Sequence, residues 1–343
     1  MQRRAIAFTS MLALVLVFSG TALAQYQLRN LSSNQVKQAR NDDPLNVNAW
    51  GLARGATTPW WVADQGSGWS TLYNETGVRQ GLVVSVPPAK NSFVGQPTGL
   101  VFNGSPEFKV DGSPAIFIFD TLDGTISAWA PGANLKSAIV IADNSADGAS
   151  YTALAISSKP SGNFLYAVDN ANNRVDIYDG TFTWTGSFAA DPNVPSGMAA
   201  FGIRDINGTV FVAYAPVDEG PGGYIDMYHE DGSLIGMFAQ GRPLNQPWGF
   251  ALAPKNFGPL SNTLLISNNN NAGTIVAYTI KSNGTGEFAG VLKDASGHPL
   301  VINQLWAIDF GGGNSTNGAA NQLFFTAGPN NNLAGTFGSI VFK

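Results

Sequence analysis

Cysteine is absent from the 343 residues of this protein, and histidine occurs only twice. Without cysteine the protein has no disulfide, no thiolate metal ligand, no thiol nucleophile and no cysteine to carry a lipid. Two histidines are too few for a histidine-rich metal cage. Charged residues are also scarce, at 12%, and the net charge is −5. Because no run of Lys or Arg occurs, nucleic acid and anionic membranes are excluded as expected partners.

One long apolar segment stands at the N terminus. Arg3 and Arg4 precede the apolar run 11–18, and the small residues Ala22 and Ala24 follow it. This order is typical of a signal peptide cleaved before Gln25, and the run is shorter than the ~20 residues that span a bilayer. We therefore expect a signal peptide at 1–24. Residues 25–343 are then a single domain exported to the periplasm or the extracellular medium, with no membrane insertion after cleavage.

A short apolar element recurs six times, at intervals of 47 to 58 residues. Two further apolar runs of four to six residues follow each copy, bounded by Gly, Asn, Asp or Pro, and several copies have a weak fourth run. Runs of this length suit strands rather than helices. The six copies begin at Trp50, Thr98, Thr152, Phe201, Trp248 and Trp306.

This repeat predicts an all-β protein, a six-bladed β-propeller of four-stranded antiparallel blades. Four short strands cannot bury both faces of a small sheet alone, whereas radial stacking of such sheets buries every face. The alternative is an open β-solenoid, which normally has much shorter repeats. The sixth repeat ends after its third strand, so we expect segment 25–36 to supply the outer strand of the last blade and to remove an exposed sheet edge.

Two parts of the sequence resemble known families. Residues 165–178 (Leu-Tyr-Ala-Val-Asp-Asn-Ala-Asn-Asn-Arg-Val-Asp-Ile-Tyr) resemble an NHL repeat, in which an aliphatic strand is followed by Asp, an Asn-rich turn, Arg and a strand ending in an aromatic residue. Residues 49–53 and 60–77 resemble a family of secreted bacterial proteins of uncharacterised activity, some of which carry a C-terminal PEP-CTERM sorting signal that this protein lacks. The resemblance implies an NHL/TolB-like six-bladed propeller and brings no activity with it.

Polar residues stand just before the first strand of five of the six repeats. At a channel mouth they would either bind a polar ligand or cap strand ends and satisfy backbone groups. The aromatic residues that open the strands would either pack between blades or form a platform for sugar stacking. These ligand-binding candidates are Asn48, Gln96, Ser150, Gln246, Gln304, Trp50, Trp248 and Trp306.

Acidic or amide residues end four of the second strands. Carboxylates that converge on an axis would chelate Ca²⁺, and such an ion can polarise a carbonyl and activate water. In NHL-type blades the same Asp instead accepts backbone N–H groups. The metal-ligand candidates are Asp64, Asp120, Asp169 and Asn268.

The leading functional hypothesis is a binding or interaction module with a ligand at one channel mouth, where the ligand is a small molecule, a glycan or a protein. The alternative is a calcium-type, metal-assisted hydrolase resembling lactonases or esterases. A third hypothesis, a purely structural protein, is favoured if side chains fill the axis. No cofactor other than this calcium is implied, and the sequence names no catalytic residue.

Overall fold

The computed structural model describes residues 25–159 and 162–343; the signal peptide expected at 1–24 lies outside these ranges. Two single-turn 3₁₀ helices, Ser145–Asp147 and Gly258–Leu260, interrupt a succession of strands. The strands of the first half are β1 (Tyr26–Ser33), β2 (Asn41–Asp42), β3 (Ala49–Ala53), β4 (Trp60–Asp64), β5 (Trp69–Tyr73), β6 (Arg79–Ser85), β7 (Pro97–Phe102), β8 (Lys109–Val110), β9 (Ser113–Pro114), β10 (Phe117–Thr121), β11 (Thr125–Trp129) and β12 (Ile139–Asp143).

The second half continues the same pattern of short strands joined by tight turns. Its strands are β13 (Tyr151–Lys159), β14 (Gly162–Asp169), β15 (Arg174–Asp179), β16 (Trp184–Ser187), β17 (Met198–Ile206), β18 (Thr209–Pro216), β19 (Tyr224–His229), β20 (Leu234–Gln240), β21 (Pro247–Leu252), β22 (Leu264–Asn268), β23 (Ile275–Ile280), β24 (Gly286–Val291), β25 (Leu305–Phe310), β26 (Leu323–Ala327) and β27 (Thr336–Phe342).

These strands form the six predicted blades. Blades 1 to 5 have the strand orders β3-β4-β5-β6, β7-β10-β11-β12, β13-β14-β15-β16, β17-β18-β19-β20 and β21-β22-β23-β24, each antiparallel throughout. The innermost strands β3, β7, β13, β17, β21 and β25 pack side by side, and β25 packs against β3, so the ring closes. The six-bladed propeller is therefore confirmed, and the open solenoid is excluded.

The N-terminal strand closes the last blade, as the missing fourth strand of repeat six predicted. Blade 6 has the order β25-β26-β27-β1, and β1 pairs antiparallel with β27 from Tyr26 opposite Phe342 to Ser33 opposite Thr336. The backbones of Gln25 and Lys343 exchange two further hydrogen bonds, at 3.0 and 2.9 Å. Both ends of the described chain are thus held in one sheet.

Two small elements depart from the predicted repeat. Strand β2 adds in parallel to the outside of β1, and the hairpin β8–β9 is inserted between the first two strands of blade 2. The hairpin turns at Asp111 and Gly112, both at positive φ (47° and 78°), which suits a tight two-residue turn. Each element has only two pairs of residues, too few to leave a periodic signal in the sequence.

A small residue recurs at the second position of the repeated motif because adjacent inner strands approach closely there. A Cβ atom on Gly202 would lie 2.0 Å from the carbonyl oxygen of Trp248 in the next blade, and one on Gly51 would lie 2.3 Å from the carbonyl oxygen of Thr98. Since such distances are shorter than any contact between real atoms, a side chain there would force neighbouring blades apart. The Trp-Gly pairs of the sequence therefore reflect packing around the axis.

Hydroxyl groups on the first or second strand of a blade bond to the inner strand of the next blade. Each donates a hydrogen bond to a backbone carbonyl oxygen of the next blade, which satisfies a carbonyl group that the sheet leaves buried. The four bonds run from Thr98 to Tyr151 (2.8 Å), Thr152 to Phe201 (2.9 Å), Ser267 to Trp306 (2.6 Å) and Thr326 to Trp50 (2.5 Å).

Candidate functional site

Four aromatic side chains from the starts of inner strands meet on the propeller axis. The rings of Trp50 and Trp306 stack with centroids 3.6 Å apart and planes 17° apart. Trp248 meets Trp306 edge-on at 5.9 Å, and Phe201 lies 5.8 Å from the same ring. The two contacts at 5.8 and 5.9 Å have the spacing that aromatic pairs prefer, and the Trp50–Trp306 pair is a closer, nearly face-to-face stack. The axis is therefore filled at this level, which is the arrangement expected of a purely structural protein, whereas the cavities on either side of it leave room for a ligand.

Two of the indoles are fixed by hydrogen bonds. Trp306 Nε1 donates to Asn48 Oδ1 at 3.0 Å, and Trp248 Nε1 donates across blade 4 to the carbonyl oxygen of Thr152 at 3.2 Å. Trp50 Nε1 is buried and has no hydrogen-bond partner among residues 25–159 and 162–343. These contacts make the aromatic layer a rigid floor.

A cavity of about 360 Å³ lies directly above this floor, at the end of the axis where the inner strands begin. We call it the amide mouth, because Asn and Gln side chains form most of its polar wall. Three aromatic rings of the floor contribute to it, together with the loop that joins β18 to β19. The residues that line it are Trp50, Phe201, Trp306, Asn170, Gln246, Asn269, Asn270, Asn271, Gln304, Asn332, Ala215, Pro216, Val217 and Glu219.

The amide groups of the amide mouth are oriented by the backbone. Three of these side chains contact a backbone carbonyl oxygen. Because a carbonyl oxygen only accepts hydrogen bonds, the NH₂ group must be the end that contacts it, and the amide oxygen is left at the other end. None of these three amide oxygens has a donor among the described residues, so each remains an acceptor. The three bonds are Asn170 to Ala200 (2.7 Å), Gln246 to Glu219 (2.6 Å) and Asn269 to Leu305 (3.1 Å).

The charge of the amide mouth is low. Glu219, which is exposed on the β18–β19 loop, is the one ionisable side chain in its described lining, and no Lys or Arg side chain of the described ranges lines it. Gln304 donates to Asn271 Oδ1 at 3.0 Å across the rim. Apart from the Glu219 carboxylate, the polar surface is therefore a set of neutral amide dipoles beside aromatic rings.

The structure places the predicted ligand-binding residues in two groups. Trp50, Gln246, Gln304 and Trp306 line the amide mouth, whereas Trp248 does not. All three indoles are buried, with 6%, 3% and 8% of Trp50, Trp306 and Trp248 exposed.

The other three polar candidates lie outside the cavity lining. Asn48 is buried, and its amide donates to Gln65, whose own amide donates to Gln96, at 2.7 and 2.9 Å. Ser150 contacts Asp169 through its backbone N–H at 3.1 Å. The bonds of Asn48 and Gln96 thus join side chains to one another, and Ser150 is held through its backbone.

The sequence pattern did not single out the Asn side chains of the β14–β15 and β22–β23 turns, or Asn332 before β27. Asn170 and the run 269–271 directly follow Asp169 and Asn268, where their composition is that of an ordinary turn. Their signal was present in the sequence: asparagine runs recur after second strands, and the ends of those strands lie beside the same mouth.

The carboxylates predicted as calcium ligands are committed within their own blades. Asp64 Oδ2 accepts the backbone N–H and the hydroxyl of Thr71, at 3.1 and 2.7 Å. Asp120 Oδ1 accepts the Gly99 N–H and lies 2.8 Å from the Thr98 hydroxyl, which shares its one proton between this oxygen and the Tyr151 carbonyl oxygen. Each carboxylate therefore stabilises the turn or strand next to it.

The remaining two candidates behave in the same way. Asp169 accepts from Asn172 Nδ2 at 2.7 Å and pairs with Arg174 at 3.2 Å. Asn268 accepts the Asn245 N–H at 2.9 Å and donates to the Pro243 carbonyl oxygen at 3.0 Å.

The calcium candidates do not form a common site. In the described ranges, no three side chains of His, Cys, Asp or Glu lie close enough together to hold a metal ion. The physical reason is that the inner strands line the axis, whereas these residues end the second strands and turn into the blade interior. The donor set does not fit an axial calcium ion.

Burial is the largest influence on the pKa values of Asp64 and Asp120. It raises the pKa of Asp120 to about 7, against the hydrogen bonds from Thr98 and Gly99, which lower it. It also raises the pKa of Asp64 well above its ordinary range, with the Thr71 hydroxyl opposing. Asp64 Oδ1 and Asp120 Oδ2 are buried without a hydrogen-bond donor in the described part of the protein. Ionisation of either residue in the folded state therefore lowers the free energy of unfolding.

Within residues 25–159 and 162–343, no helix has the length and apolar character needed to cross a membrane.

Comparison with known proteins supports the fold and leaves the activity open. No protein-family model matches the sequence. An uncharacterized protein of Acanthamoeba polyphaga mimivirus is 34% identical over 206 residues, which cover 56% of this chain and 37% of the viral protein. A second uncharacterized mimivirus protein is 26% identical over 346 residues, covering 93% of this chain and 81% of that protein. These relatives are viral, so the bacterial family expected from residues 49–77 is not the one matched.

Solved structures with the same fold have different activities. The Xanthomonas campestris gluconolactonase XC5397 shares 12% identity at a TM-score of 0.56, covering 93% of this chain and 90% of its own. Virginiamycin B lyase from Staphylococcus aureus shares 12% identity at a TM-score of 0.54, covering 93% of this chain and 99% of its own. At such identities the likeness is one of fold alone.

Proposed function

We propose that this propeller is a binding module that takes an uncharged, hydroxyl-rich ligand, such as a saccharide, at the amide mouth. The observation that carries the proposal is the composition of that cavity: amide dipoles surround a floor of stacked aromatic rings, and no basic side chain of the described ranges lines it. Its volume, about 360 Å³, lies within the ~300–1,000 Å³ of small-molecule pockets.

The amide oxygens supply the polar half of the recognition. The free amide oxygens of Asn170, Gln246 and Asn269 accept hydrogen bonds, and ligand hydroxyl groups donate them. Removing a neutral hydroxyl group from water costs less free energy than removing an ion, so uncharged ligands are favoured over charged ones in such a cavity.

The aromatic floor supplies the apolar half. The paired indoles of Trp50 and Trp306 are nearly parallel; Asn48 holds the indole of Trp306, and Thr326 of β26 holds the backbone carbonyl oxygen of Trp50. The two rings cover each other and are only 6% and 3% exposed, so the C–H groups of a ligand would contact the few ring atoms that the cavity reaches. A preformed floor keeps the ordering cost of binding small.

The test is isothermal titration calorimetry of the full-length protein against neutral mono- and disaccharides, with gluconate as the charged analogue. We expect at least one neutral sugar to bind, and gluconate to bind more weakly because Glu219 is the one charged side chain in the described lining. The variant Gln304→Ala removes one amide from the mouth and should weaken binding by about two- to tenfold, the value of one hydrogen bond.

The matched control is Gln35→Ala, which removes an exposed amide between β1 and β2. Its sugar affinity should equal that of the wild type. If no neutral saccharide binds, or if Gln304→Ala and Gln35→Ala bind equally well, the amide mouth is not the ligand site.

Export to the periplasm or the extracellular medium is part of the same proposal. It is supported by the pattern of residues 1–24 and by the glycan ligands that such compartments offer. N-terminal sequencing of the protein recovered from outside the cytoplasm should begin at Gln25. A first residue of Met1 in that fraction would contradict it.

A further inference from the structure

The opposite end of the axis holds a second cavity of different chemistry. Its volume is about 220 Å³, and it lies where the inner strands end. We call it the arginine mouth, because Arg54 and Arg204 enter it from blades 1 and 4. Asp309 from blade 6 and Asp205 from blade 4 also line it. Nothing in the proposed function of the amide mouth depends on this cavity.

Arg54 is a cation without a matching carboxylate. Its Nε donates to the Phe310 carbonyl oxygen at 2.8 Å, and its Nη1 has only a 3.5 Å contact with the Gly55 carbonyl oxygen. In the part of the protein that the structure describes, no Asp or Glu lies within ion-pair distance of it. The guanidinium group lies over the ring of Trp60, 5.4 Å from its centroid, which holds it in one orientation.

Arg204 brings a second guanidinium group to the same cavity. Its Nη2 pairs with Asp309 Oδ2 at 2.9 Å, and 39% of its side chain remains exposed. Asp309 Oδ1 also accepts the Phe310 N–H at 2.8 Å, while Asp205 accepts the Gly208 N–H at 2.9 Å. Asp309 is thus already engaged, which leaves Arg54 with donors to spare.

The electrostatics of Arg54 agree with this arrangement. Burial lowers the pKa of Arg54; Asp309 opposes the change, and Arg204 adds to it by like-charge repulsion. A half-buried cation in this position is stabilised by any anion that reaches it. A guanidinium group and a carboxylate form two parallel hydrogen bonds, which makes a carboxylate the best-matched anion.

The remaining wall of the arginine mouth is apolar. Blades 2 and 3 contribute Leu100, Phe102, Leu154 and Ile156 to it. The charged residues come from blades 1, 4 and 6. A ligand that fills the cavity must therefore present an anionic end to one side and an apolar body to the other.

We propose that the arginine mouth binds a small monocarboxylic acid, with its carboxylate on Arg54 and Arg204 and its apolar body against Leu100, Phe102, Leu154 and Ile156. The site is independent of the amide mouth and lies on the opposite face of the propeller. Its ligand class is a free organic acid of about the size of benzoate or hexanoate.

The test is isothermal titration calorimetry of the full-length protein with benzoate and hexanoate, and with the uncharged benzyl alcohol and hexanol as references. Both acids should bind, and the alcohols should bind at least about tenfold more weakly, since a charge-assisted hydrogen bond is lost. Arg54→Gln should weaken acid binding by a similar factor. Arg40→Gln, which removes an exposed arginine between β1 and β2, should leave it unchanged.

A second variant keeps the test decisive if Arg54→Gln does not fold. Arg204→Gln removes the other guanidinium group and should also weaken benzoate binding while leaving sugar binding at the amide mouth intact. Failure of both acids to bind the wild type would overturn the proposal. So would equal affinity for benzoate and benzyl alcohol, or unchanged benzoate affinity in the folded Arg54 or Arg204 variant.

Discussion

Because Asp120 is a buried carboxyl group, its ionisation should make the unfolding free energy of the protein depend on pH. Asp120 is fully buried in blade 2, where Oδ1 accepts from Thr98 and Gly99 and Oδ2 has no donor among the described residues. The perturbation is Asp120→Asn. This change keeps the accepting oxygen and replaces the unpartnered one by an amide nitrogen that never ionises.

The magnitude follows from the pKa of Asp120, which burial raises from 3.8 to about 7. Between these values the unfolded protein has lost the proton while the folded protein still holds it, so stability falls as pH rises. The loss ends once the pH exceeds the folded-state pKa. Three pKa units at ~1.4 kcal/mol each amount to about 4 kcal/mol. The Asn variant lacks this contribution at every pH.

The assay is urea unfolding of both proteins at several pH values from 4 to 8. The unfolding free energy of the wild type minus that of Asp120→Asn should fall by about 4 kcal/mol across this range. Any hydrogen bond that the new amide fails to make shifts the difference by a constant and leaves its slope unchanged.

Asp143→Asn serves as the control. Asp143 is exposed, and the Ser145 hydroxyl lowers its pKa, so its contribution to stability is lost only in acid, below the ordinary pKa. The difference between wild type and Asp143→Asn should therefore be flat from pH 5 to 8. A difference for Asp120→Asn that is equally flat would refute the reasoning about burial.

Three further predictions concern the axis and the blades. Trp306→Ala removes the indole that three aromatic rings contact on the axis. It should lower the unfolding free energy by about 3–5 kcal/mol in urea unfolding. A loss under ~1 kcal/mol would show that the aromatic floor is not packed. Thr326→Val removes the hydroxyl that donates to the Trp50 carbonyl oxygen and accepts the Ala307 N–H. It should lower the unfolding free energy by about 1–3 kcal/mol in the same assay. An unchanged unfolding free energy would contradict the role of this hydroxyl in joining the blades. The unfolding temperature should be the same in EDTA and in calcium chloride, because Asp64 and Asp169 are engaged within their blades. A rise in the unfolding temperature with calcium that Asp169→Ala abolishes would contradict this.

The architecture could be predicted from the sequence because its signal repeats. Six copies of one apolar element, each with a small residue where inner strands touch, define the number of blades and the register of the first strands. The role of residues 25–36 followed from counting strands in the sixth copy. The additions β2 and β8–β9 occur once each, and a single pair of two-residue strands leaves no repeat to detect.

The site was only partly predictable, because its residues come from turns. Trp50, Gln246, Gln304 and Trp306 follow directly from the position of the inner strands, and the structure gathers them at one mouth. The asparagines 269–271 have the composition of an ordinary turn, and only the fold shows that this turn faces the axis.

The carboxylates at the ends of second strands are regularly spaced in the sequence but do not meet in the structure. Asp64 and Asp120 turn into separate blades to satisfy local donors. Equivalent positions in a repeat share a local environment, and only those on the inner strands also share a point on the axis.

The central claim is that an uncharged, hydroxyl-rich ligand binds above the stacked indoles. A crystal structure of the full-length protein with the neutral saccharide that binds most tightly in calorimetry tests it most directly. One sugar ring should lie in the amide mouth, in contact with the ring atoms of Trp50 and Trp306 that the cavity reaches, with its hydroxyl groups donating to the amide oxygens of Asn170, Gln246 or Asn269. A saccharide bound on the outer strands of a blade, with the amide mouth filled only by water, would contradict it.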